Sequence, residues 1–268
     1  MDTWSMIIIF YSIFVIFYFI GINGSYLVLV LIAFFDLRRH VTAQKLIDRN
    51  QPFRSEFYKP LSIIIPAYNE AATIVETIRS TLNLRYPEFE VIVVNDGSTD
   101  DTLAVLKASF SLRPSARDDA VDIPCSPIHA VYSSLDYPNL TIIDKENGGK
   151  SDALNAGINL AHFPLFCNID SDSIVDTSAL LQVTDFFARD RRVVAAGGTI
   201  RAANHCRIED GRVVEINLSP NLWVRFQIVE YLRAFLFGRV GWSAIKGLPI
   251  LSGAFSVFRR KAVIQTGG

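Results

Sequence analysis

The chain has 268 residues, half of them hydrophobic, and a formal net charge of −1 at pH 7. That length holds one large domain or two small ones with a sizeable core, and the charge balance makes no whole-chain case for nucleic acid as a partner. Cys125, Cys167 and Cys206 form no CxxC pair and no ligand cluster, so reduced thiols are expected rather than a disulfide framework.

Met6 to Phe35 carries no charged residue. About 20 apolar residues suffice for a helix to cross a bilayer, and two crossings need roughly 40. One transmembrane helix within residues 1–36 is expected, with Gly21, Asn23 and Gly24 marking a kink or a membrane boundary in it. A cleaved signal peptide fits poorly, because no Lys or Arg precedes the run and the run is too long. Arg38, Arg39, His40, Lys45 and Arg49 follow it, against Asp2 alone on the other side. The positive-inside rule therefore places the rest of the chain in the cytoplasm. Residues 37–60 read either as a segment lying on the membrane surface or as a charged linker.

From Leu61 the pattern becomes α/β. "LSIIIPAYN" and "FEVIVVND" are short, nearly continuous apolar runs, which mark strands buried on both faces. Glu70 to Leu84 between them reads as a helix, with Ile74, Ile78 and Leu82 on one side. Ser98 and Asp101 form a capping-box pattern for the next helix. Residues 111–139, rich in Pro, Ser and Asp, read as a loop insertion. Leu140 to Ile143 is a third strand, Lys150 to Ala161 a helix, and Pro164 to Ile169 a fourth strand. Asp176 stands where a helix N-cap is expected. Alternating strands and helices predict a mainly parallel sheet covered on both faces, in one α/β domain over residues 61–268.

Ligands of open α/β sheets sit at the carboxyl ends of the strands. Polar clusters fall there after each predicted strand: "PAYNE", "NDGSTDD", "NGGKSDALN" and "DSD". The dinucleotide fingerprint GxGxxG is absent after the first strand. Gly149-Lys150-Ser151 resembles the end of a phosphate-binding P-loop, but the earlier glycine of that motif falls on Asp144. Asp170 and Asp172 pose the sharpest question. Two positions apart on an extended segment, they share a face, and like charges that close repel unless water or a cation separates them.

The segments "SIIIPAYNEAATIVETIRS", "VIVVNDGSTDDT", "NGGKSDALNAGI" and "NIDSDSIVD", in this order, resemble the inverting family 2 glycosyltransferases of GT-A fold. The membrane-bound branch of poly-N-acetylglucosamine, chitin, hyaluronan and cellulose synthases is the most similar. The resemblance implies a nucleotide-sugar donor, such as UDP-N-acetylglucosamine, and a glycan or lipid-linked acceptor. It makes Asp170-Ser171-Asp172 a DxD motif in which Asp170 and Asp172 hold Mg²⁺ or Mn²⁺ against the donor's diphosphate, a role that suits carboxylate oxygens. It places Ala67, Tyr68 and Glu70 along the uridine pocket, although Glu70 is also well placed to meet a helix dipole. Asp96 falls on the uracil or ribose, and Lys150, after two glycines at a helix start, on the nucleotide. Asp152 either contacts the donor sugar or occupies the first helical turn. "PILSGAFSVFRRKAVIQTGG" resembles the strand that approaches the acceptor, where small Ser252, Gly253 and Ala254 let a sugar ring come close. Trp223 to Trp242 is amphipathic and reads as an interfacial helix or as one packed on the domain core. His129, His162 and His205 have no ligand spacing.

The family's catalytic-base aspartate lies in a TED or GED motif, followed by QxxRW, and neither motif is found before Gly268. A hydroxyl nucleophile needs a carboxylate to take its proton. The expectation is the donor-binding part of a cell-membrane glycosyltransferase, C-terminally incomplete and with its base unassigned. The alternative is a non-catalytic, membrane-tethered nucleotide-sugar binder.

Overall fold

A computed structural model describes residues 3–46, 58–116, 122–201, 203, 205–209, 212–245, 247 and 250–268. The chain falls into two compact units, Met1–Pro52 with Ser219–Ile250, and Phe53–Leu218 with Leu251–Gly268.

In the first unit, helix α1 (Thr3–Leu46) runs unbroken through Gly21, Asn23 and Gly24. The polar side chains of this stretch are satisfied on the helix itself. Asn23 Nδ2 donates to the Phe19 carbonyl at 2.7 Å and Ser25 Oγ to that of Ile22 at 2.7 Å. The 37 residues Thr3–Arg39 are long and apolar enough to cross a membrane. At 1.5 Å per residue they extend about 55 Å, well beyond the roughly 30 Å of a hydrocarbon core. The segment that includes Trp223 to Trp242 belongs to this unit. It comprises a helix over Leu222–Leu232, a π-helical stretch over Arg233–Arg239 and a short helix over Val240–Ala244. A Cβ on Gly241 would lie 2.7 Å from the Leu29 carbonyl oxygen of α1, so the two backbones approach where only glycine fits. Trp223, Phe226 and Val229 are exposed.

The second unit is a layered α/β structure. In chain order it comprises β1 (Leu61–Ala67), α2 (Ile74–Leu82), β2 (Phe89–Asp96), α3 (Thr102–Ser109), β3 (Leu112–Pro114), β4 (Ile128–Ser134) and β5 (Leu140–Lys145). These are followed by α4 (Lys150–Leu160), β6 (Leu165–Ile169), α5 (Ala179–Arg189), β7 (Ala195–Gly197), β8 (Arg207–Glu209) and β9 (Arg212–Glu215). With the helices at Leu222–Leu232 and Val240–Ala244 counted as α6 and α7, the last elements are β10 (Phe255–Arg259) and α8 (Arg260–Thr266).

The main sheet has the order β3-β4-β5-β2-β1-β6-β10-β7. Its centre, β5-β2-β1-β6, is parallel, and the strands on both flanks are antiparallel. The side-chain period of two divides the core. Ile63, Ile65, Val91, Val93, Ile142 and Cys167 pack with Ile78 of α2, Leu106 of α3 and Phe187 of α5. Ile64, Ile92, Val94, Ile143 and Phe166 pack with Ala153 and Ala156 of α4 on the other face. Burial on both sides is what makes these strands read as unbroken apolar runs.

Three expectations need correction. Residues 111–139 are not only a loop: β3 and β4 lie there, and the β-prone run Ile128-His129-Ala130-Val131-Tyr132 extends the sheet beside β5. Ser98 and Asp101 form no capping box; Asp100 Oδ1 accepts from Thr102 N at 3.0 Å, while Ser98 Oγ accepts from Asn69 N at 3.0 Å. Asp176 is not the N-cap of α5, which is Ser178; its Oδ1 accepts from Ser178 N at 2.8 Å one turn earlier.

Candidate functional site

The central strands end together at one edge of the sheet, and the loops there are tied to one another. Asn69 takes φ +57°, a left-handed conformation that asparagine tolerates. From it, Asn69 Oδ1 accepts from Thr99 N at 2.8 Å and Asp100 N at 3.3 Å. The loop after β1 is thereby clipped to the loop after β2. Ala67 is buried, while Tyr68 beside it is 49% exposed, a free aromatic face at the strand end. Glu70 Oε2 accepts from Thr73 Oγ1 at 2.7 Å, so its carboxylate serves the turn leading into α2.

Asp96 differs from its expected setting. It is 2% exposed, and its carboxylate is already engaged. Lys145 Nζ lies 2.6 Å from Oδ1, Gly148 N donates to Oδ1 at 3.0 Å and Gly149 N to Oδ2 at 2.8 Å. A carboxylate has about four acceptor sites, so little is left for a ligand. The two glycine amides ahead of Lys150 are met by Asp96. Gly149 adopts φ +86°, which turns the chain into α4.

Lys145, which sequence reasoning passed over, is fully enclosed between Asp96 and Asp152, each 2.6 Å from its Nζ. Burial alone would pull the Lys145 ammonium down, but its bonds to Asp152 and Asp96 outweigh burial and hold it above its ordinary value. Burial likewise pushes the Asp152 carboxyl up, while Lys145 and the Ser126 amide more than offset this and hold it below its usual range. Asp152 thus lies in the first turn of α4 and is bound to protein groups. The only sequence signal for Lys145 was a lysine closing an apolar strand, "TIIDK".

Lys150, the first residue of α4, sends its ammonium to Asp170 Oδ1 as an ion pair, with the Gly253 carbonyl 3.4 Å away. Both partners are partly exposed, at 49% and 29% of their side chains, so water weakens the pair and it is free to exchange. Asp170 N donates to the Ala254 carbonyl at 3.4 Å, and Asn168 Nδ2 donates to the Gly253 carbonyl. Ser252, Gly253 and Ala254 form the lead-in to β10 rather than a strand, with Ser252 Oγ accepting from Ala254 N at 3.3 Å. The segment brings a bare backbone beside Asp170. Asp172 is exposed. The extended geometry expected for Asp170 and Asp172 is not adopted, because β6 stops at Ile169 and a turn follows. Ser173 N donates to the Asp170 carbonyl at 3.0 Å, and Thr77 Oγ1 donates to that of Ser171 at 2.7 Å. The turn leaves the Asp172 carboxylate facing solvent.

The family described as "Glycosyl transferase family 2" matches residues 62–267. The poly-beta-1,6-N-acetyl-D-glucosamine synthase of Staphylococcus epidermidis is 24% identical over 208 residues, covering 77% of this chain and 41% of that protein. The enzyme of the same name from Staphylococcus aureus (strain COL) is 26% identical over 210 residues, with the same coverage. The chain thus spans less than half the length of these curated relatives. Among solved structures, the mannosyltransferase PcManGT from Pyrobaculum calidifontis, in complex with GDP-Man and Mn²⁺, superposes with a TM-score of 0.53 at 20% identity. That superposition covers 90% of this chain and 59% of PcManGT.

Proposed function

Because this chain belongs to glycosyl transferase family 2 and has the GT-A fold, we propose that it binds a nucleotide sugar at the carboxyl edge of its parallel strands. The sugar then passes to a glycan or lipid-linked acceptor by inverting displacement. The observation that carries this reading is the meeting of Lys150, Asp170 and the Gly253 carbonyl, with exposed Asp172 in the adjoining turn. A labile cation–carboxylate pair open to solvent suits a diphosphate that arrives with its own counter-charge.

Asp170 and Asp172 offer hard oxygens. Among the described residues no group of three or more His, Cys, Asp or Glu gathers to hold a metal. Two carboxylates leave the remaining positions of Mg²⁺ or Mn²⁺ to phosphate oxygens and water, the usual arrangement for a nucleotide-bound cation. The oxygen chemistry of the two carboxylates therefore suits such an ion. When bound, such an ion offsets the charge that builds on the departing diphosphate. Lys150 adds a second positive group, Tyr68 offers a face for the base, and Ser252, Gly253 and Ala254 line the acceptor side. Ala67, Glu70, Asp96 and Asp152 complete the nucleotide-sugar site, the last three held in place by bonds within the protein.

The N-acetylglucosamine polymer in the staphylococcal relatives' name favours UDP-N-acetylglucosamine as donor; the GDP-mannose of PcManGT is the rival. Calorimetric titration of the full chain in detergent with Mn²⁺ separates them. UDP and UDP-N-acetylglucosamine should bind, and GDP-mannose at least about tenfold more weakly, a gap of about 1.4 kcal/mol. Tighter binding of GDP-mannose would reverse the assignment.

We further place α1 across the cell membrane with the α/β unit in the cytoplasm, where Arg38 and Arg39 anchor that side. Asp136 is exposed on the loop between β4 and β5. A cysteine introduced there should resist an impermeant maleimide on intact cells and react after permeabilisation. Labelling of intact cells would invert the topology.

A further inference from the structure

We propose that Lys145 is a positioning residue for the donor site, acting through Asp96 and the turn into α4, an inference that rests on the donor-binding reading above. Lys145 closes β5 with its side chain entirely enclosed, so it cannot touch a ligand. Its three donors are all spent: on Asp96 Oδ1, on Asp152 Oδ2 and on the Glu146 carbonyl. Asp152 in turn accepts from Ser126 N at 2.9 Å, and Asp96 from the amides of Gly148 and Gly149. One buried ammonium therefore joins the end of β2, the end of β5, the first turn of α4 and the segment at Ser126.

The cost of this arrangement argues for its purpose. A buried ion pair is often no more stabilising than an apolar pair of the same shape, and breaking it strands an uncompensated charge. What the bridge does provide is geometry. Asp96 is held against Gly148 and Gly149, and the residue that follows them is Lys150, whose ammonium stands at the candidate site with Asp170. Asn147 adds to the clamp, its Nδ2 donating to the Asp96 carbonyl at 2.8 Å. Without Lys145 the carboxylates of Asp96 and Asp152 face each other unscreened. They repel, and the turn that aims Lys150 loses its fixed anchor.

The test is a set of variants of the full chain in detergent, titrated with UDP in Mn²⁺ by calorimetry, with the thermal midpoint followed in parallel. Lys145→Met should weaken UDP binding tenfold or more. Asp152→Asn, which loosens the far end of the bridge at a partly exposed position, should weaken it about threefold and serves if Lys145→Met does not fold. The decisive readout is coupling: in an Asp96→Asn background, each substitution should cost little further affinity. A purely structural lysine would lower the midpoint and leave the affinity of the folded protein unchanged, or add its effect in full to that of Asp96→Asn; either result overturns the proposal. If the wild type itself fails to bind UDP, the donor-binding reading falls and takes this inference with it. Binding by the wild type with unaltered variants removes the inference alone.

Discussion

Asp172→Asn is expected to weaken UDP binding about tenfold or more in the presence of Mn²⁺. Losing a charged partner costs about 1 to 3 kcal/mol, and each 1.4 kcal/mol is about tenfold in affinity. Asp172 is exposed, so the substitution removes no buried charge. Its effect is therefore a reading of the site rather than of the fold. In EDTA the sign should reverse or the effect vanish, because carboxylates facing a diphosphate repel it and neutralising one relieves the repulsion. The measurement is calorimetric titration of wild type and variant with Mn²⁺ and with EDTA. Equal affinity in all four titrations would leave Asp172 as a solvated acid in a turn.

Gly97→Ala should be the most disruptive single-methyl change near the site. Gly97 follows Asp96 at φ +64°, where an L-residue pays about 1 to 2 kcal/mol. The added Cβ would also lie 2.6 Å from Asn147 N and 3.1 Å from its Cα, and backbone cannot swing aside as a side chain can. Overpacking of this kind costs a further 1 to 3 kcal/mol or so. We expect a total loss of about 2 to 5 kcal/mol on these two grounds. Any protein that still folds should bind UDP poorly, because Asn147 is one of the groups that clamp Asp96. Thermal unfolding in detergent reports the first effect and titration the second. A midpoint within a degree of wild type would show that this turn is far more compliant than its geometry implies.

The parts of the molecule legible in the sequence were those whose signal is local. β1, β2 and β6 announce themselves as apolar runs because helices cover both their faces, and the polar clusters after them fall at one edge because the strands are parallel. Lys150 and Asp170, twenty positions apart, lie in two of those clusters, and the structure brings their side chains together. The illegible parts depend on partners distant in the chain. Nothing local says that Lys145 will be enclosed, since a lysine followed by glutamate reads as surface until Asp152 folds across it. Asp96 is oriented by amides more than fifty residues later, which no local signal announces. β4 pairs with β5 across the Leu135–Asn139 connection. The compositional bias of the surrounding Pro, Ser and Asp hides its β-prone core. Asp170 and Asp172 share a face only if the strand continues, but it ends at Ile169 in a turn to which Thr77 of α2 donates a hydrogen bond.

The position of β10 bears on the order in which this protein can assemble. It inserts between β6 and β7, so among the described residues β7 joins the sheet through a strand made much later. Phe255 pairs with Ile169 across a long intervening stretch, and such closures are slow because chain entropy is lost before contacts repay it. During vectorial synthesis the parallel centre can form first. Until β10 arrives, β6 presents an open edge of unpaired amides and carbonyls, the kind that recruits foreign strands. The Gly253 carbonyl beside Lys150 comes in with the same late segment. A nascent chain therefore lacks one side of its candidate site, and a vulnerable sheet edge stays open, until the same few residues close both.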